Sequence, residues 1–269
     1  MDIIKSIILG ALQGITEFIP VSSSGHLLVT RNLLGLGEIP VLFDVLMHIP
    51  TLIVVLLVFR KKIIQILISL FRIFTYLIKK EKPNINDTEN ARLFLIILIA
   101  TVSTALIGFA FNKMETIFSE IPKLVGALFI ITGVLLIFSL LFKGSKDYSK
   151  LKFKDGIITG IAQGIGVLPG ISRSGITITA SLFCGLKREK AGEYSFLISV
   201  PAILGALFIK IKDAPALNIQ LHVLLIGLGT CFLIGLLSLF LLLQLIKKGR
   251  LYLFSIYLIP VGILTLLFI

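Results

Sequence analysis

Between Gln13 and His26 the chain reads Q-G-I-T-E-F-I-P-V-S-S-S-G-H, placing a carboxylate, an amide, three consecutive serines and an imidazole inside an otherwise apolar run. A carboxylate at membrane depth costs ~2.5–3.5 kcal/mol on insertion scales, so it is kept where it faces a cavity or a partner. Gln13 and Glu17 are four apart and share one face if this stretch is helical. One reading of Glu17 is a helix-end carboxylate reaching for water. The other, which the inward-continuing Pro20 and serines favour, is a site for a hard cation or a proton. Mg²⁺ takes one or two carboxylates plus phosphate oxygens and water, an arrangement that Glu17 with Gln13 satisfies minimally. Ser22, Ser23, Ser24 and His26 fall at a helix start, where free backbone N–H groups favour anions. Ser23 and His26, three apart, have the spacing of a nucleophile with its general base or acid; the other reading is that the serines cap the helix and His26 hydrogen-bonds a carbonyl.

A second stretch, Gln163 to Thr177, reads Q-G-I-G-V-L-P-G-I-S-R-S-G-I-T. Arg173, between Ser172 and Ser174, offers planar bidentate donation to phosphate, and the hydroxyls beside it complete an oxyanion cradle. Thr177, one turn on, adds a hydroxyl to the same pocket. Asp44 and His48 read equally well as supporting partners of the site or as a polar patch near the outer surface, and Glu193 as a helix-end cap.

The two stretches superpose. Gln13-Gly14-Ile15 matches Gln163-Gly164-Ile165, and Ser22-x-Ser24-Gly25 matches Ser172-x-Ser174-Gly175, both at an offset of 150 positions. The chain is therefore internally duplicated, with one polar cluster per copy.

What must position these groups is a membrane fold. With 57% hydrophobic residues, 15% charged and a mean hydropathy of +1.06, the 269-residue chain belongs with polytopic membrane proteins. The formal charge of +12 does not imply nucleic acid, because the basic residues gather in short loops between apolar runs. Cys184 and Cys231 lie in apolar segments and read as buried free thiols. The N-terminus lacks a basic region and a small-residue cleavage site, so no removable signal is expected.

Residues 1–36 and 156–186 each contain two apolar pieces too short to cross ~30 Å of hydrocarbon, broken at Pro20-Val21-Ser22 and at Pro169-Gly170. Each is expected to form a re-entrant helical hairpin, its tip buried in protein or facing a cavity. Full spans are expected at 41–59, 91–111, 121–142, 193–212, 221–245 and 251–269. The near-neutral stretch 112–120 would join the second and third of these. Residues 62–80 carry Lys62, Gln65, Ser69, Arg72, Tyr76 and Lys79 as one polar stripe and read as an interfacial helix, followed by a polar loop over 81–90. On this topology the cytoplasmic segments hold 19 Lys and Arg and the outer segments six, with Arg173 inside the second hairpin, a skew that supports it. The expected fold is an all-α polytopic membrane protein with six transmembrane helices and two re-entrant hairpins. Its first repeat would be 1–142 and its second 151–269, with inverted topology and a site near the midplane. Glu17, Ser23, His26 and Arg173 should converge there.

At these residues the sequence resembles the integral-membrane undecaprenyl-diphosphatase (bacitracin-resistance) family. The family's (Glu/Gln)-x-x-x-Glu motif is matched from Gln13 to Glu17, and its P-V-S-S-[ST]-G-H element from Pro20 to His26. Its P-G-x-S-R-S-x-x-T signature appears from Pro169 to Thr177. The F-D-V-x-x-H-x-x-T-L element matches Phe43 to Leu52, with Pro50 where glycine is common. The resemblance implies hydrolysis of undecaprenyl diphosphate to the monophosphate at the outer face of the bacterial cytoplasmic membrane, recycling the carrier for envelope polymers. It also implies a divalent cation, Mg²⁺ or Ca²⁺, held by Glu17 with help from Gln13. Ser23 would be the nucleophile and His26 the general acid/base, while Ser22, Ser24, Ser172, Arg173, Ser174 and Thr177 would bind the diphosphate. A lipid substrate and membrane lipids are the implied partners, and a homodimer is left open. The competing class is a polyprenyl-phosphate flippase, which would need the same phosphate cradle but not a nucleophile–base pair.

Overall fold

The computed structural model describes residues 2–34, 41–213 and 219–269, with side chains described for these except 32–34, 41, 44, 112–120, 122 and 210–213. Asp44 and the end of the first expected hairpin (35–36) therefore lie outside the described side chains and residues respectively. No strand occurs among the described residues; one isolated bridge joins Lys146 and Leu186.

Helix α1 (Ile3–Phe18) starts where Asp2 accepts a hydrogen bond from the Lys5 N–H at 2.8 Å. It stops before Pro20, and Ser22 then adopts a left-handed backbone (φ 71°) that turns the chain into α2 (Ser23–Leu34). The second hairpin has the same form. There α7 (Phe153–Ile165) is followed by a turn in which Gly170 has φ 103°, and then by α8 (Arg173–Phe183), capped by Ser172. A side chain at Gly170 would also collide with Leu128 Cβ (2.6 Å) and Val125 O (2.7 Å).

The other helices are α3 (Val41–Val58), α4 (Arg60–Lys79), α5 (Ile85–Glu120), α6 (Pro122–Phe138), α9 (Arg188–Asp213), α10 (Leu221–Lys247) and α11 (Ser255–Phe268). Among the described residues five segments are long and apolar enough to cross a membrane: Ile85–Phe111, Lys123–Leu141, Arg188–Ile209, Leu221–Lys247 and Leu251–Phe268. Only 28–44% of each apolar window is buried inside the protein, so their outer faces are apolar where a soluble helix would be polar. These coincide with five of the six expected spans. The sixth, 41–59, contains a shorter apolar helix, Val45–Val58.

Small residues let helices approach. A Cβ on Gly10 would sit 2.3 Å from Gly227 O, and one on Gly14 would sit 2.7 Å from Cys231 O, so α1 lies backbone to backbone on α10. At the matching positions 150 residues later, a Cβ on Gly160 would sit 2.4 Å from Ala100 O and one on Gly164 would sit 2.5 Å from Ile107 Cβ, so α7 is seated on α5 in the same way. Helix α6 packs on α11, and α3 packs on α9 and α10. The largest apolar core joins Phe18 and Phe59 to Phe196, at centroid distances of 5.8 and 5.9 Å. Cys184 and Cys231 are buried and free.

Two expectations change. The polar loop at 81–90 is mostly helix, because α5 begins at Ile85, and the expected connection at 112–120 continues the same helix. The polar stripe of α4 is a docking face. Ser69 Oγ donates to Asp87 Oδ1 at 2.8 Å, Lys62 Nζ to Asn90 Oδ1 at 2.8 Å and Tyr76 OH to Asp87 Oδ2 at 3.3 Å. Arg72 lies 3.8 Å from the same carboxylate. A buried Asp87 organises this contact, and α4 turns Leu67, Phe71, Phe74 and Leu77 outward.

Candidate active site

Glu17 occupies the last turn of α1, buried to 7% exposure. Gln13, one turn earlier, donates Nε2 to Glu17 Oε2 at 3.1 Å. The break at Pro20 returns the chain, so Ser23 at the start of α2 donates its hydroxyl to the same oxygen at 2.7 Å. Arg173, the first residue of α8, pairs its guanidinium with Glu17 Oε1 from 156 positions away. His48 on α3 brings Nε2 to 3.9 Å from Glu17 Oε2, which places it beside the site and not on a remote patch. The acid, the hydroxyl and the guanidinium expected to converge do so.

Backbone and hydroxyl bonds hold the two tips together. Ser22 Oγ accepts from the Gly170 N–H at 3.0 Å, and Ser174 Oγ donates to Phe18 O at 3.1 Å. Thr132 on α6 bridges the second turn, donating to Gly170 O (2.8 Å) and accepting from the Ser172 N–H (3.2 Å). Ser172 Oγ accepts from Gly175 N at 3.1 Å and lies 3.2 Å from Ser174 Oγ. Buried polar groups that lack partners are costly, so these bonds fix the turn geometry that aims Arg173 at Glu17.

Not every expected residue points at Glu17. Thr177 is spent inside its own helix on Arg173 O (2.7 Å) and against the Ser195 hydroxyl. Ser24 is exposed and makes no side-chain hydrogen bond among the described residues. His26 does not bond Ser23. Its Nδ1 lies 2.9 Å from Ser22 O and its Nε2 lies 2.9 Å from the Tyr257 hydroxyl on α11, with the Phe129 ring tilted against it at 4.8 Å between centroids. Tyr257 and Thr132 are absent from both motifs. The one signal for either was a polar side chain within an apolar span.

Among the described residues no three His, Cys, Asp or Glu side chains cluster as a metal site. The oxygen donors nonetheless suit a hard cation. Gln13 Oε1 is buried without a hydrogen-bond partner while the amide's nitrogen is committed to Glu17, so a neutral acceptor stands free beside a carboxylate and a hydroxyl.

The fold and the site define a polytopic helical membrane protein with a carboxylate–hydroxyl–guanidinium centre shared between two broken hairpins. The family model described as bacitracin resistance protein BacA matches residues 6–264. An undecaprenyl-diphosphatase of Treponema denticola is 46% identical over 266 residues, 98% of this chain and 96% of that one. Proteins of the same name from Borrelia recurrentis (40%, over 97% of this chain and 96% of that one) and Desulforapulum autotrophicum (39%, over 99% and 98%) are also similar. The chain belongs to the bacitracin resistance protein BacA family.

Proposed function

We propose that the chain hydrolyses undecaprenyl diphosphate to undecaprenyl phosphate and phosphate, and that this recycling underlies bacitracin resistance. Family membership over nearly the whole chain supports the reaction. The observation that carries the site assignment is the meeting of Glu17 and Ser23 from one hairpin with Arg173 from the other. Phosphoryl transfer asks mainly for positioning and neutralised charge, which a guanidinium and two helix N-termini can supply.

Arg173 would exchange Glu17 for the diphosphate, with Ser172, Ser174 and the exposed Ser24 nearby. Ser23 Oγ would attack the terminal phosphorus. Its proton passes toward Glu17, already its acceptor, and the bond to the bridging oxygen breaks. Undecaprenyl phosphate leaves, and water then cleaves the phosphoserine to release phosphate and return the serine. His26, whose ring is not bonded to Ser23, would take the proton of that water as general base. Glu17, Gln13 Oε1 and Ser23 would hold a Mg²⁺ or Ca²⁺ ion, which neutralises phosphate charge when bound.

The membrane reading extends to six spans and two re-entrant hairpins in inverted repeats. Its support is the exchange of partners: α1 of the first half seats on α10 of the second, α7 of the second seats on α5 of the first, and α6 meets its counterpart α11. The site would open to the outer face of a bacterial cytoplasmic membrane, with the polyprenyl tail among the helices. The test is phosphate release from farnesyl or undecaprenyl diphosphate by purified protein, with and without EDTA. Release abolished by EDTA and restored by Mg²⁺ or Ca²⁺ is expected. Protein that releases none, yet moves lipid between leaflets, would be a flippase.

A further inference from the structure

His26 is assigned to proton transfer, but its ring is held by two groups outside the Glu17 cluster. Ser22 O is a carbonyl and can only accept, so Nδ1 carries the proton of the neutral ring. The lone pair is thereby left on Nε2, where the Tyr257 hydroxyl donates to it at 2.9 Å. Tyr257 also lies nearly parallel to the imidazole, at 16° and 5.7 Å between centroids, and the tilted Phe129 ring packs against it at 4.8 Å. The ring thus has one conformation, one tautomer and one basic atom, and that atom faces a phenol. Tyr257 is itself 49% exposed, so packing does not enclose its side chain on every side.

We infer that Tyr257 is a positioning residue for the reaction: its hydroxyl fixes the orientation and tautomer of His26 and covers Nε2 until the O–H of the attacking water takes its place. The inference rests on the hydrolase reading. Removing the hydroxyl while keeping the ring leaves the stacking but frees Nε2 to turn or bind water. Tyr257→Phe is therefore expected to lower kcat about tenfold, the scale of one orienting hydrogen bond, with little change in KM.

Three measurements on detergent-purified, full-length protein decide it. The first is the ¹⁵N signal pair of His26 in wild-type protein: a protonated Nδ1 and a hydrogen-bonded, unprotonated Nε2 are expected, the latter moving downfield in Tyr257→Phe. The second is the kcat–KM split of that variant. The third is the same change made in a His26→Gln background, where it should cost less than about twofold because Tyr257 acts through His26. A wild-type ring protonated on Nε2 overturns the inference even if the variant folds poorly. So does an unchanged kcat, or a full additional loss in the double variant. If wild-type protein releases no phosphate at all, the hydrolase reading fails, and the nitrogen signals separately establish whether Tyr257 holds the ring.

Discussion

Three adjacent serines have three fates. Ser22 closes the tip-to-tip contact through Gly170, Ser23 faces Glu17, and Ser24 stands exposed. Ser22→Ala should thus act on stability, by about 1–3 kcal/mol for a buried N–H left unpaired, read as a lowered Tm; Ser24→Ala should leave Tm unchanged. Arg173 separates charge from shape. Arg173→Lys keeps one positive charge but loses planar donation, so kcat/KM should fall by roughly thirty-fold, the equivalent of about 2 kcal/mol. Near-normal kinetics would remove Arg173 from phosphate recognition. Arg173→Ala also abandons a buried carboxylate, and thermal stability should drop by about 3–5 kcal/mol. Most of this cluster was legible in the sequence, because a carboxylate or guanidinium amid apolar residues has few other uses. The Tyr257 partner of His26 was not. Three-residue spacing permitted a Ser23 contact, but helix phase and the left-handed Ser22 turned the ring toward α11, and no local pattern encodes such a long-range contact.

At the scale of elements, the hairpin breaks, their serine caps and the helix order followed from proline, glycine and the apolar runs. What periodicity could not settle was the direction in which a polar stripe faces. On α4 it pointed to water by the usual rule, yet Asp87 and Asn90 of α5 take it up and the apolar side is turned out. The reason lies in the solvent: where lipid surrounds a helix, polar groups gain more from each other than from the outside. Asp87→Ala should accordingly loosen α4, seen as faster proteolysis within 60–80 with kcat nearly unaffected. Close helix contacts make the opposite case. Gly160→Leu would drive a side chain into Ala100 O and, by shifting α7, displace Arg173; we expect low yield and little activity, while Leu at the unencumbered Gly205 should be neutral by both measures.

Over the whole molecule, the duplication at an offset of 150 anticipated a site built from two halves, and the Glu17–Arg173 pair has that form. The orientation of that site in a membrane is a separate matter. A cysteine at position 24 should react with an impermeant reagent added from outside, and diphosphate should protect it; reaction from the cytoplasm alone would invert the topology. The pairing also sets a schedule for synthesis. At about 5–20 residues per second, Arg173 is polymerised roughly 8–30 s after Glu17, since 156 positions separate them. During that interval the nascent first hairpin carries an acid without its guanidinium partner. Its final seating must wait for the ribosome to deliver the later half, so the segment made first is among the last to settle.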